Sequence, residues 1–247
     1  MASSLTVLLP PSEGKAEGGV APRSAGQLQR SLAVGRASVI EALRAELDQA
    51  SAARRAAILG VRGPLLERAE AATELLCSGS APVLPAWQRY TGVVWSHLEP
   101  QTLDAELLRR ALVPSGLLGL TLGTDPVPDY RLKMSVALAG LGRLSSFWRD
   151  DLTALVARRC AGEVVVNLLP AEHANAFDWP LLGERCEVLE VRFLTGDRRA
   201  AAGHAAKAVK GALARALLCD GEAALEKFSF DGWKLRRRGS VVELIAG

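Results

Sequence analysis

LTVLLPPSEGK, residues 5–15, sets the reading of the whole chain. Leu5 to Leu9 is an apolar run of strand length, and Pro10 and Pro11 end it because neither can supply a ladder hydrogen bond. A short buried strand therefore opens into a polar turn carrying Ser12, Glu13 and Lys15. From Ser12 to about Arg36 the small and polar residues have no period, as in a loop able to cover a cleft. Beyond it Val39, Leu43 and Leu47 recur on one face of a helix. Pro64 opens a second helical stretch, where its missing N–H costs nothing, with Leu65, Leu66 and Ala69 as the apolar side.

Strands return in the second half. A helix from about Leu103 to Leu112 leads into VPSGLLGLTLG, residues 113–123, where Pro114, Gly116, Gly119 and Gly123 predict a sharp reversal. Ser146 caps a helix running to about Arg159. EVVVNL (163–168) is a β-branched buried strand, CEVLEVRFL (186–194) alternates apolar with charged residues, and SVVELIA (240–246) is a closing strand. Strands and helices mix without regular βαβ spacing, repeats or a linker. That pattern predicts the α+β class, with one domain over residues 1–247 and a mixed sheet surrounded by helices.

The chain has 247 residues, 49% of them hydrophobic, enough to bury a large core. No apolar run approaches the roughly 20 residues of a membrane span, and the first strand lacks the basic flank and cleavage site of a secretion signal. A cytoplasmic protein with no membrane partner is expected. Cys77, Cys160, Cys186 and Cys219 are scattered, without a CxxC pair or a histidine at ligand spacing, so free thiols, no metal and no cofactor are expected. Net charge is only +3, yet between Arg198 and Arg238 ten Lys/Arg face four Asp/Glu. Clustered cations attract phosphates at long range, although such runs also serve as solvated faces.

Several segments could carry chemistry. PPSEGK places a hydroxyl (Ser12), a carboxylate (Glu13) and an ammonium (Lys15) after a strand, a grip for a phosphate or nucleobase, but it lacks the upstream glycine and following Ser/Thr of a P-loop. In SGLLG, Gly116 and Gly119 could let backbone amides meet phosphate oxygens at a hairpin between helices. Gly60 and Gly63 in LGVRG offer the same device, and the later pair is taken as the candidate. In DYRLKM, alternation sends Arg131 and Lys133 to one side; Arg131 grips a phosphate or pairs with a nearby acid, and Tyr130 stacks on a base or sits half in the core. On the helix from about Ala201 to Cys219, His204, Lys207, Lys210 and Arg215 fall within an arc of roughly 140°, a basic stripe. Glu172, next to His173 and after a strand ending at Asn167, is the acid-base candidate, with Lys15 or Lys207 as its neighbour in a cleft.

LLPPSEGK, YTGVVW (90–95), SGLLG, DYRLKM, SSFW, VVVNLLPAEH, KAVKGALARALL and FSFDGW, taken in order, resemble the YaaA-type peroxide stress protein family from residue 5 to about 233. The resemblance implies a domain of unusual topology with a helix-hairpin-helix-like element and a basic cleft, associated with DNA binding and with limiting peroxide damage. The sequence departs from the family pattern at Lys133, where an acidic residue is usual, at Trp95 in place of tyrosine, and at Leu169 and Pro170 in place of small and hydroxyl residues. Two functions are left open. One is gripping duplex or distorted DNA without sequence preference; the other is an enzyme acting on a nucleotide, nucleobase or related phosphate-bearing metabolite through Ser12, Lys15, Arg131, Asn167, Glu172 and Lys207.

Overall fold

The computed structural model describes residues 5–22 and 26–247; of the loop expected from Ser12 to Arg36, positions 23–25 lie outside the described residues. The opening strand, β1 (Leu5–Leu8), is buried at every position. It is joined by β2 (Ala111–Ser115), β3 (Gly119–Leu122), β4 (Val164–Asn167), β5 (Glu187–Leu194), β6 (Ser229–Phe230), β7 (Trp233–Arg238) and β8 (Val241–Ile245). Their order across one sheet is β6-β7-β8-β5-β4-β1-β2-β3. β1 runs parallel to β4, with Val7 opposite Val166, and parallel to β2, with Val7 opposite Ala111. The β4–β5 and β5–β8 pairs are also parallel, whereas β2–β3, β7–β8 and β6–β7 are antiparallel. The fold is thus α+β with a mixed sheet. Its centre is parallel and covered on both faces, which is why Leu5 to Leu9 and Val164 to Val166 read as continuous apolar runs.

The helices that shape the site are α1 (Ala33–Gln49), α2 (Ala52–Leu59), α3 (Pro64–Cys77), α4 (Val93–Leu98), α5 (Arg149–Arg159) and α6 (Gly203–Asp220). Val39 and Leu43 form the buried stripe of α1, and Pro64 occupies the first turn of α3, both as the spacing predicts. Two helix expectations are corrected. The stretch Leu103 to Leu112 is helical only at Ala105–Leu108, because Ala111 and Leu112 pair with Val7 and Leu8 and burial in the sheet outweighs local propensity. Ser146 lies within the turn Leu144–Phe147, and α5 starts after Trp148, whose buried indole donates to the Gly116 carbonyl at 2.9 Å. Packing of that tryptophan, not a hydroxyl cap, sets where the helix begins.

The winding of the sheet locates the site. The chain leaves β1 for β2 on one side and leaves β4 for β5 on the other, so the direction reverses between β1 and β4. The loops following these two strands diverge there and leave a crevice at the carboxyl ends, the usual ligand position in an open sheet of this kind.

Candidate functional site

A cleft of about 860 Å³ opens at this reversal. The loop after β1 contributes Ser12, Glu13, Gly14 and Lys15, and the chain after β4 contributes Glu172 and His173. A third wall is the turn between α2 and α3, from Gly60 to Arg62, continued by Leu65 and Arg68, and the segment from Tyr130 to Lys133 completes the lining. Five cationic side chains line it (Lys15, Arg62, Arg68, Arg131 and Lys133) against two carboxylates, Glu13 and Glu172.

The β1 loop is zipped onto YTG. Lys15 forms a β-bridge with Tyr90, Thr91 N donates to Gly14 O at 3.1 Å, and Ala16 N donates to Arg89 O at 2.9 Å. The Ser12 hydroxyl donates to the Thr91 carbonyl and is thereby engaged with backbone. Beneath the loop, the fully buried Arg89 donates to the carbonyls of Ala16, Gly18, Pro82 and Val127. Lys15 is 8% exposed; its Nζ donates to Ser12 O at 2.9 Å and lies 4.2 Å from the centroid of the Tyr130 ring. Burial, reinforced by the Arg131 charge, pushes its ammonium down to about 7 in spite of Asp129 and Glu13.

Tyr130 does not present a face for stacking on an exposed base. It is buried, and its hydroxyl accepts from Ser115 Oγ at 2.8 Å and lies 3.0 Å from the Tyr90 hydroxyl, so the ring is a fixed shelf under Lys15. Arg131 and Lys133 both line the cleft, as alternation predicts. Arg131 pairs with Asp129 at 2.5 Å, and the other Asp129 oxygen accepts from Arg68 at 2.7 Å. Arg68 also reaches Lys15 O (3.1 Å) and Glu17 (2.5 Å), tying α3 to the β1 loop. Lys133 pairs with Glu13 at 2.8 Å, which raises the Lys133 pKa and lowers that of Glu13. The cation at this departure position therefore clasps the carboxylate of the PPSEGK turn.

Glu172 Oε1 accepts from the backbone N (3.2 Å) and hydroxyl (2.8 Å) of Ser135. Burial pushes neighbouring His173 down to about 4 despite the Glu172 charge, so its ring is neutral at neutral pH. His173 Nδ1 is buried without a hydrogen-bond partner. Asn167 stays behind the cleft, where its Oδ1 accepts from Leu169 N at 3.0 Å and turns the chain toward Glu172. Pro170 precedes the helical turn Ala171–Ala174, and the Trp95 indole donates to Pro10 O at 3.2 Å.

Two sequence-based candidates are corrected. Gly116 and Gly119 do not lie between helices: SGLLG is the buried turn of the β2–β3 hairpin, where Ser115 Oγ accepts from Leu117 N and Leu118 N. Gly119 has φ +75°, and a Cβ there would sit 2.7 Å from Leu32 and 3.1 Å from Trp148. The turn between helices is at Gly60 and Gly63, with φ +67° and +58°. The basic stripe of α6 is also broken. Arg215 donates to the carbonyls of Leu98 and Glu99 at the end of α4, and Lys210 is half-buried with Nζ 5.1 Å from the Phe193 ring centroid, its ammonium pushed down to about 8 by burial. Only the His204 and Lys207 end is exposed, and Lys207 is near enough to Glu13 to help lower that carboxyl.

Arg62, Arg68 and Arg89 carry no local signal in the sequence. Arg62 becomes legible only once the LGVRG turn is placed, and the other two depend on contacts with distant segments. Among the described residues, no group of three or more His, Cys, Asp or Glu could hold a metal ion, and no helix is long and apolar enough to cross a membrane.

The architecture defines an α+β protein with a mixed sheet and a cleft, lined by five cationic side chains and two carboxylates, at the reversal of its strand order. The chain belongs to the peroxide stress protein YaaA family, whose model matches residues 5–238. It is 37% identical over 226 residues to the UPF0246 protein SCO2297 of Streptomyces coelicolor, covering 89% of this chain and 85% of the relative. It is 30% identical over 219 residues to the UPF0246 protein CE1889 of Corynebacterium efficiens, covering 86% and 84% of the two chains.

Proposed function

We propose that the protein binds DNA through this cleft, without preference for base sequence, in the response to peroxide stress. The observation that carries the reading is the α2–α3 turn on the cleft wall. Gly60 and Gly63 bound it with positive φ, Arg62 is exposed between them, and α3 begins there. Peptide N–H groups at such a turn and at a helix N-terminus meet phosphate oxygens whatever the bases. Lys133, whose side chain lies beside Gly60, and Lys207 add positive charge near the turn and Glu13. Binding to duplex and bubble-containing DNA, followed by fluorescence anisotropy, should weaken steeply with salt. Arg62→Glu combined with Lys133→Glu should reduce affinity at low salt by about tenfold or more. No binding at low salt, or a double variant that binds as the wild type does, would overturn the reading.

Lys15 favours a second reading, an enzyme acting on a nucleotide, nucleobase or related small metabolite with Glu172 as acid-base group and Lys15 as anchor. A buried lysine of near-neutral pKa in one concavity with a carboxylate and a neutral histidine suits proton transfer. Turnover abolished in folded Glu172→Gln would support it; a broad metabolite screen without depletion would count against it.

A further inference from the structure

We infer that Lys15 is a nucleophile whose ε-amine forms a Schiff base with the aldehyde carbon of a phosphate-flanked deoxyribose, the group that remains in DNA where a base has been lost. The DNA part rests on the binding reading above; the amine chemistry stands on the cleft itself. Nζ is held by donation to Ser12 O and by the Tyr130 ring, and its residue lines the cleft. An amine that is substantially neutral near pH 7 attacks a carbonyl, whereas a fully solvated lysine is almost entirely protonated. Arg131, close enough to depress the Lys15 ammonium, shares the cleft with Lys133 and Arg62, so the carbonyl that the amine meets is one that carries phosphates.

Two further features support a single sugar unit as the ligand. The volume of about 860 Å³ suits one nucleotide-sized group, so a duplex lying against the α2–α3 turn would place a single sugar unit inside it. His173 also lines the cleft, and its buried Nδ1 has no protein partner, a polar group left unsatisfied beside the ligand space. Peroxide chemistry supplies the substrate, because radical attack on DNA releases bases and leaves sugar aldehydes.

The amine adds to the aldehyde carbon, the carbinolamine loses water, and a protonated imine forms. Glu172, which lines the same cleft, takes a proton from C2′. The electron pair forms the C2′–C3′ double bond as the C3′–O bond breaks, and the downstream strand leaves with a 5′-phosphate. Water hydrolyses the imine, returning the Lys15 amine and an unsaturated aldehyde.

Borohydride trapping of the full-length protein with an abasic duplex, and separately with 2-deoxyribose 5-phosphate, tests this, with peptide mass mapping of the adduct. An adduct at Lys15 is expected, rising with pH through neutrality, lost in Lys15→Met and in the charge-preserving Lys15→Arg, and retained in Lys234→Ala. Anisotropy with intact duplex reports the binding reading separately. If the wild-type protein binds abasic duplex and neither probe is trapped, or the adduct maps to another lysine, the nucleophile is overturned. It is equally overturned if no DNA binds and the sugar phosphate is not trapped. If DNA does not bind but the sugar phosphate is trapped on Lys15, the binding reading falls and the nucleophile stands.

Discussion

Lys15 is a short sequence signal whose chemistry was decided by burial. The run PPSEGK was legible as a site because a proline-stopped strand must project the next polar residues, but nothing local said that the ammonium would lie over Tyr130. Folding lowers its pKa from the ordinary 10.5 to about 7, so between those values the unfolded chain binds more protons and stability rises with pH. Below pH 7 the folded state carries the whole cost of the buried charge. Lys15→Met should therefore be more stable than wild type at mildly acidic pH, by a few kcal/mol at order of magnitude, with the gap closing toward pH 10.5, as urea denaturation would measure. His173 acts at the acid end: its folded pKa of about 4 lies below the usual 6.5, so stability is lost as pH falls through that window. His173→Leu should flatten that limb; an unchanged acid limb would contradict the burial account.

Elements were read well where their periodicity was local and poorly where a distant partner decided them. α1, the start of α3, β1, β4, β5 and β8 followed from spacing, proline position and β-branched runs. SGLLG and LGVRG present the same glycine spacing, and their difference lies in what flanks them: the first is drawn into the sheet by pairing of Ala111 and Leu112 with β1, and the second is left between helices. Gly119→Ala should cost about 2–3 kcal/mol by forcing a methyl into Leu32 and Trp148. Gly63→Ala meets no atom within 4 Å, but at φ +58° and ψ −141° it should cost about 1–3 kcal/mol of backbone strain while weakening DNA binding. The α6 stripe departs from the sequence pattern for a related reason, since helical geometry places cations on a face but does not determine what that face meets. Arg215→Ala should lower stability by about 1–2 kcal/mol through the lost bonds to Leu98 and Glu99 and leave DNA affinity unchanged.

Across the whole molecule, class and strand content were readable, but the order of strands was not, because each pairing in the parallel centre joins segments far apart in the chain. The same holds for charge. Its concentration near the C-terminus drew attention to α6 and β7, whereas the cleft cations come from residues 15, 62, 68, 131 and 133, brought together by the reversal between β1 and β4. Arg237 of the basic C-terminal segment pairs with Glu187 and Glu222. The cleft and its glycine-bounded turn, not the C-terminal segment, are therefore the proposed DNA site. Its most direct test is the affinity for duplex DNA measured against salt, for the wild type, for Arg62→Glu with Lys133→Glu, and for Lys234→Glu with Arg236→Glu. Binding in the cleft requires a steep salt dependence that the cleft pair flattens and the C-terminal pair leaves nearly intact; loss of affinity in the C-terminal pair with wild-type binding in the cleft pair would rule it out.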